Sequence, residues 1–148
     1  FGGQLVYVKE VALALGAQGH QVDILTRRIV DPEWTGFEAA EDAYPGRPNV
    51  RILRLDCGPA GFLRKELLWP HLAEWTKHIL AFYRAEGSLP AVWTGHYGDG
   101  ALAAALLVWV FGSLVYTAFR TAAPAFLFGL ATACLELRAG RGCDRIFL

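Results

Sequence analysis

Helical and β-rich segments alternate along residues 1–118 of this chain, and this alternation restricts the fold more than any other feature. Apolar residues recur at spacings of three and four from Leu5 to Leu15, as on one face of an amphipathic helix. The other predicted segments are strands at 21–26, 50–55, 91–94 and 114–117, helices at 65–84 and 101–111, and a loop at 31–49. Because strands that alternate with helices form parallel sheets, the sequence predicts an α/β fold with a Rossmann-like parallel sheet and flanking helices.

Two glycines, Gly2 and Gly3, directly precede the first predicted helix. In parallel α/β folds a glycine-rich turn connects the first strand to the first helix, and the helix N-terminus offers free N–H groups to an anion. No β-rich segment leads into this turn, so we expect a fragment whose first strand is missing. The absence of a GxGxxG pattern argues against a Rossmann dehydrogenase. From these residues alone, a tight turn and a phosphate-binding turn are equally open.

Charge and cysteine content exclude several function classes. Lys+Arg and Asp+Glu are both 14, and a neutral chain gives no general argument for nucleic-acid binding. Cys57, Cys134 and Cys143 have neither metal-ligand spacing nor the density of a disulfide framework. No signal peptide is visible at the start of the sequence. We therefore expect no metal, no nucleic-acid partner and a cytoplasmic setting.

Two uncharged runs, 101–118 and 121–135, leave a small membrane-associated protein as an alternative. The first run touches the lower length limit of a membrane helix. Gly112 and Ser113 divide it into a helix-length piece and the β-rich piece Leu114–Thr117. A buried helix followed by a buried strand explains the run without lipid, so we expect no membrane partner.

Four stretches together resemble one enzyme family: GGQLVYVKEVALALGAQGHQVDILTRR, GPAGFLRKELLWPHL, GHYGDGALAAALL and LVYTA. Over residues 2–118 the chain is similar to the N-terminal domain of retaining glycosyltransferases of the GT-B fold, within the sucrose-phosphate synthase and sucrose synthase group. The resemblance implies transfer of a glucosyl group from a nucleoside diphosphate sugar to fructose 6-phosphate or a related sugar, without a cofactor. It also implies a second Rossmann-like domain, for which residues 119–148 are too few. Since a half cleft cannot hold both reactants, we expect the isolated chain to be inactive.

The resemblance also implies which residues bind the substrates. The turn at residues 2–4 matches the turn that faces the donor diphosphate and the acceptor sugar. Lys65 matches a lysine that reaches an acceptor phosphate, a task that suits a compact cation. The loop at residues 96–97 matches a Gly-His-Tyr loop of the cleft, although a loop histidine is also often a packing group. The implied substrate-binding residues are Gly2, Gly3, Gln4, Lys65, His96 and Tyr97.

Arg27 and Arg28 stand at the C-terminal end of the predicted strand 21–26. The carboxyl ends of the strands are where open α/β sheets bind ligands, so the two arginines would add positive field to a site there. A solvated pair of charges at a turn explains them equally well.

The sequence departs from the family at residue 119. After the segment that matches residues 114–118, the family has a histidine that contacts the donor sugar. In this chain, Phe119 and Arg120 follow that segment instead. A phenyl ring neither donates nor accepts a hydrogen bond, so we assign no catalytic residue. We divide the chain into an incomplete glycosyltransferase domain at 1–118 and a divergent tail at 119–148, which either diverged or is an out-of-frame translation. The loss of the histidine also fits a non-catalytic sugar-phosphate-binding module.

Overall fold

A computed structural model of the chain describes residues 3–118 and 145–147. Its strands are β1 Gln21–Arg27, β2 Glu41–Tyr44, β3 Arg47–Leu55, β4 Val92–Trp93 and β5 Arg145–Phe147. Its helices are α1 Gly3–Ala17, α2 Leu72–Glu86 and α3 Tyr97–Ala118, and two 3-10 turns, Lys65–Leu67 and Trp69–His71, precede α2. The strands form one sheet in the order β2-β3-β1-β5-β4, in which every neighbouring pair except β2 with β3 is parallel. The predicted α/β class is confirmed.

Helices cover both faces of the sheet around β1 and β3. On one face, Val22 and Val50 pack with Ala12 of α1. On the other face, Leu25 and Leu53 pack with buried residues of α2 and α3. Strands that are covered on both sides need apolar side chains on both, which accounts for the high apolar content of the chain.

Gly16 allows α1 to lie directly on β3. A Cβ at this position would stand 2.4 Å from Cγ2 of Val50, so a larger residue would push the helix off the sheet. The helix ends one residue later at Ala17, and Gly19 turns the chain into β1 with a φ of 94°. The predicted helix end at Gly16 or Gly19 therefore agrees with the structure to within two residues.

The predicted loop at 31–49 contains a strand that the sequence did not suggest. Strand β2 pairs antiparallel with β3, and Gly46, with a φ of 71°, provides the tight turn between them. The buried Arg54 of β3 forms an ion pair with Asp42 of β2. Pro48 is tolerated in β3 because the pairing with β1 begins only at Val50.

The predicted helix at 65–84 is divided in the structure. Two 3-10 turns occupy residues 65–71, and the regular helix α2 begins only at Leu72. Pro70 lies in the second of these turns, where its missing N–H costs no helical hydrogen bond. The helix ends at Gly87, whose φ of 67° lets its N–H donate to the carbonyls of Tyr83 and Arg84.

The predicted strand at Leu114–Thr117 is wrong, because these residues belong to α3. Gly112 and Ser113 do not end the helix, since a glycine inside a helix costs only about 1 kcal/mol relative to alanine. The preceding residues 101–110 are mostly Ala and Leu, which favour the helix strongly enough to continue it. Within residues 3–118 and 145–147, no helix combines the length and the apolar character that a membrane crossing requires.

Strand β5 comes from the end of the chain and lies in the middle of the sheet. It lies between β1 and β4 and is parallel to both. It pairs with only Gln21–Asp23 of β1, whereas β3 pairs with β1 as far as Arg27. Part of the predicted tail thus joins the sheet, while residues 119–144 lie outside the described part of the chain.

A buried carboxylate connects the central strand to β3 and α2. Asp23 of β1 is 2% exposed and accepts two hydrogen bonds from Arg51 of β3, of 2.8 and 3.0 Å. The hydroxyl of Tyr83 on α2 donates a third, of 2.9 Å. Arg51 also contacts Glu86 at 2.9 Å, and the carboxylates of Asp23 and Glu86 hold the pKa of its guanidinium above the usual value. Both oxygens of the Asp23 carboxylate are therefore hydrogen-bonded, and a cation lies beside it, as a buried acidic group requires.

We predict that Arg51→Met lowers the free energy of unfolding by about 3–5 kcal/mol, because it leaves Asp23 as a buried charge without its cation. The matched control is Arg47→Met on the same strand, where the side chain is exposed. This control should change stability by less than about 0.5 kcal/mol. Urea unfolding of the wild type and both variants measures the difference. Equal stability of the two variants would contradict the role given to Arg51.

Candidate functional site

The predicted glycine turn lies at the edge of the described residues. Gly2 and Phe119 fall outside them, so their predicted roles stay predictions. Gly3 is the first residue of α1 and is exposed, and no atom of the described residues lies within 4 Å of the place where its Cβ would be. The first turn of α1 also contains no acidic residue. The positive end of the helix dipole is therefore not compensated by a carboxylate of its own first turn.

Gln4 joins this helix end to the loop after β4. Its Nε2 lies 2.8 Å from Nδ1 of His96, although the two residues are 92 positions apart in sequence. An amide nitrogen can only donate, so Nδ1 accepts and the proton of the neutral imidazole is on Nε2. Two of the segments that the sequence singled out are thus in direct contact.

The other ring nitrogen of His96 makes no hydrogen bond to any residue that the structure describes. Its Nε2 is buried and unsatisfied within the described residues. Burial also lowers the pKa of the ring, so the imidazole is neutral near pH 7. The ring of Tyr7, one turn after Gln4 on α1, meets the imidazole edge-on with ring centres 6.0 Å apart. A buried N–H donor without a partner is rare in folded proteins, which distinguishes His96 from an ordinary packing residue.

Tyr97 and Lys65 add an aromatic ring and a positive charge beside this contact. Tyr97 begins α3 with a φ of 60°, a conformation that is uncommon for a tyrosine. Its ring is 64% exposed, and Nζ of Lys65 lies 5.7 Å from the ring centre. Strained backbone of this kind is often found at functional sites. We refer to Gln4, Tyr7, Lys65, His96 and Tyr97 as the Gln4–His96 surface.

Arg27 lies away from this surface and holds a loop. Its side chain is buried and donates to the carbonyls of Cys57 at 2.9 Å, Gly61 at 2.7 Å and Pro59. These contacts tie the end of β1 to the loop that follows β3. The arginine is therefore not a solvated charge, and its guanidinium is already used by carbonyl oxygens.

Arg28 lines a separate pocket of about 410 Å³ at the carboxyl ends of β1 and β3. Its Nε donates to the carbonyl of Glu38 at 2.8 Å, and its Nη1 lies 3.9 Å from Asp56. His78 and Glu74, one turn apart on α2, form the opposite wall. The pocket thus contains charges of both signs, and it does not include the residues of the Gln4–His96 surface.

Two further kinds of site were considered among the described residues, a reactive thiol at Cys57 and a cluster of metal ligands. Burial raises the pKa of the Cys57 thiol, and the sulfur lies 3.7 Å from the carbonyl of His71, so the thiol stays protonated near pH 7. No group of three His, Cys, Asp or Glu side chains in the described part of the chain is arranged to hold a metal ion.

The sequence did not indicate two aromatic residues near the site. Tyr7 stands three residues after Gln4, on the same side of α1. Trp69 is 54% exposed, and its ring lies 3.5 Å from the position that a Cβ at Gly98 would take. For Tyr7, the sequence signal was its helical spacing from Gln4, which places both residues on the same side of α1.

We predict that His96 makes the stability of the chain decrease on acidification. Its pKa is lowered in the folded chain, so the unfolded chain binds the proton first as the pH falls through about 6.5. The stability that the neutral imidazole contributes is therefore fully present above this pH. It is lost as the pH falls from the pKa of the unfolded chain to the pKa of the folded chain. Urea midpoints at about pH 7.5 and pH 5.5 should differ more in the wild type than in His96→Asn.

The matched control for this measurement is His20→Asn, since His20 lies in the connection between α1 and β1. This variant should keep the pH difference of the wild type. A His96→Asn variant with an unchanged pH difference would show that the imidazole is not desolvated in the folded chain.

Comparison with known proteins identifies relatives for most of the chain, although no family model matches it. Over 106 residues it is 51% identical to a probable sucrose-phosphate synthase of Thermosipho melanesiensis, covering 72% of this chain and 25% of that protein. It is 38% identical over 103 residues to the mannosylfructose-phosphate synthase of Agrobacterium fabrum, covering 69% of this chain and 21% of that protein. The sucrose-phosphate synthase of Zea mays is 35% identical over 132 residues, with 72% and 12% covered.

These relatives agree with the resemblance seen in the quoted sequence stretches. The chain spans a quarter or less of the length of each relative named above. The match to the Thermosipho protein covers 72% of this chain. The sheet with flanking helices described above agrees with a partial Rossmann-like glycosyltransferase domain. By sequence, the chain belongs to the sucrose-phosphate synthase-like glycosyltransferases, of which it carries a segment.

Proposed function

We propose that this chain provides the acceptor side of a glycosyl-transfer site and binds a hexose phosphate at the Gln4–His96 surface. The observation that carries the proposal is the contact between Gln4 and His96, which joins two distant segments beside Lys65 and Tyr97. A surface of this kind combines neutral hydrogen-bond donors, an aromatic ring and one cation. These are the groups that a phosphorylated sugar requires.

Each group has a separate task in this proposal. The ammonium of Lys65 pairs with the phosphate of the acceptor, because a flexible cation with three donors suits phosphate oxygens. The Nε2–H of His96 is buried and has no partner among the described residues, and it donates to a sugar hydroxyl that enters beside it. The first N–H groups of α1 face the diphosphate of the donor, since a helix N-terminus is a favourable place for an anion.

The names of the relatives support the substrate classes. Both sucrose-phosphate synthase and mannosylfructose-phosphate synthase contain a sugar phosphate in their names. We propose fructose 6-phosphate or a related sugar as the acceptor and a nucleoside diphosphate sugar as the donor. The cytoplasmic setting stays a prediction from the scattered cysteines.

We propose that the chain alone does not transfer a glucosyl group. Positioning both reactants contributes a large part of the rate of a two-substrate reaction, and the described residues offer one side of a cleft. The remaining groups would come from the part of a longer relative that this chain does not match.

A second candidate function is a sugar-phosphate-binding module without catalytic activity. It is favoured by Phe119, which stands where the family has a histidine at the reacting sugar. This module would use the same surface and the same lysine. It differs from the first proposal only in that no second domain would restore transfer.

We predict that fructose 6-phosphate binds to the chain and that Lys65→Met weakens this binding at least about tenfold, because a charge-assisted phosphate contact contributes about 1.5–3 kcal/mol. Isothermal titration calorimetry measures both affinities. Free fructose should bind no better to the wild type than to Lys65→Met.

The control is Lys77→Met, since Lys77 is an exposed lysine of α2 outside the Gln4–His96 surface. This variant should keep the wild-type affinity. An equal loss in Lys77→Met and Lys65→Met, or no binding by the wild type, would contradict the proposal.

A further inference from the structure

Trp69 stands on the same anchored segment as Lys65. In the two 3-10 turns before α2, the N–H of Leu68 donates to the carbonyl of Lys65 at 3.1 Å, and the N–H of His71 donates to the carbonyl of Leu68 at 2.8 Å. Leu68 packs against the buried core between the sheet, α2 and α3, whereas the two turns themselves contain no buried residue. The segment is therefore fixed from its inner side, while Lys65 and Trp69 are exposed on its outer side.

The indole of Trp69 lies on the first turn of α3. Its atoms Cζ2 and Cη2 are 3.5 and 3.7 Å from the place that a Cβ at Gly98 would take. Gly98 has no side chain to come between the ring and the helix, and it directly follows Tyr97, the residue with the φ of 60°. The segment before α2 and the start of α3 thus meet beside Tyr97, where Nζ of Lys65 also lies, 5.7 Å from the centre of the Tyr97 ring.

Packing within the described residues does not account for the exposed indole of Trp69. Trp34 is also exposed, but its ring stacks on that of Phe62 with ring centres 4.4 Å apart. No ring or cation of the described residues stacks on Trp69 in this way. A fixed indole beside a cation and a second ring is typical of the wall of a ligand site, where aromatic side chains surround a few polar groups.

A hexose phosphate has two features that match this arrangement. Its phosphate is an anion, and the ammonium of Lys65 suits phosphate oxygens. The C–H groups of its sugar ring form apolar patches between the hydroxyls, and an aromatic ring that covers such a patch removes apolar surface of both partners from water. A short phosphate ester without a sugar ring offers the first contact and lacks the second. The lysine therefore cannot separate the two ligands, whereas the indole can.

We propose that Trp69 determines specificity at the Gln4–His96 surface: its indole covers the ring of a bound hexose phosphate and selects this ligand over phosphate esters without a sugar ring. The inference rests on the proposed function, because it requires a hexose phosphate whose phosphate lies at Lys65. It assigns to Trp69 a selective role that is separate from the anchoring of the phosphate.

The test compares fructose 6-phosphate with glycerol 3-phosphate, which has a phosphate ester but no ring. Isothermal titration calorimetry on the full chain gives the affinity for fructose 6-phosphate, and competition against it gives the affinity for glycerol 3-phosphate. Trp69→Ala should weaken the binding of fructose 6-phosphate about tenfold, which corresponds to the loss of roughly 60 Å² of apolar contact. It should leave the binding of glycerol 3-phosphate unchanged, because this ligand does not cover the indole.

Three further variants complete the comparison. Trp69→Phe keeps a flat apolar ring and should retain most of the preference for fructose 6-phosphate. Trp109→Ala removes an exposed tryptophan of α3 about three turns after Tyr97, roughly 18 Å along the helix, and should keep both wild-type affinities. Trp69→Leu, which has no flat ring, provides the same measurement if Trp69→Ala does not fold.

The outcomes separate this inference from the proposed function. If the wild type binds neither ligand, both fail. If Lys65→Met weakens the binding of fructose 6-phosphate and Trp69→Ala does not, Trp69 has no part in selection. An equal loss of both ligands in Trp69→Ala and Trp69→Phe would show that the ring only supports the segment that carries Lys65. Either of the last two results would overturn the inference and leave the proposed function standing.

Discussion

The buried carboxylate of Asp23 fixes the arrangement of elements around the central strand. An ionised group at the middle of a sheet is stable only where donors reach it from its neighbours. Arg51 supplies two of these donors from β3, and Tyr83 supplies one from α2. This network holds β3 beside β1 and α2 against the same face. The apolar side chains of both core clusters pack around these elements.

The position of the functional residues follows from this arrangement. α1 packs on β1 and β3, with Gly16 against Val50, and its first turn therefore lies near the carboxyl end of the sheet. The loop after β4 reaches the same end, where Gln4 and His96 meet. Neither residue would be a site alone. Their contact leaves one ring nitrogen of His96 without a partner among the described residues, next in sequence to Tyr97, whose ring lies 5.7 Å from the ammonium of Lys65.

The sequence predicted the parts of the fold that depend on local pattern. The strand at β1, the helix α1 and the α/β class followed from periodicity, and the quoted motifs identified the family. The sequence did not predict β2, because Gly46 and its flanking prolines resemble a loop until the pairing with β3 is known. The strand at Leu114–Thr117 was wrong because β-branched residues outweighed the helical context in a short window.

The sequence also could not predict those features of the site that depend on contacts between distant segments. The motifs selected His96 and Gln4, but no spacing could show that they touch, that Arg27 holds a loop, or that Tyr97 has a positive φ. These features depend on how the sheet brings separate loops together. Similarity to the family motifs therefore identified residues of the Gln4–His96 surface. Their hydrogen bonds became known only from the folded structure.

The central claim is that the first turn of α1 and the loop after β4 form one surface through the Gln4–His96 contact. A double-mutant cycle of Gln4→Ala and His96→Ala in urea unfolding tests it most directly. The account predicts a coupling energy of about 0.5–1.5 kcal/mol, whereas Gln18→Ala, just after the C-terminal end of α1, should show none with His96→Ala. Strictly additive effects of Gln4→Ala and His96→Ala would contradict the account.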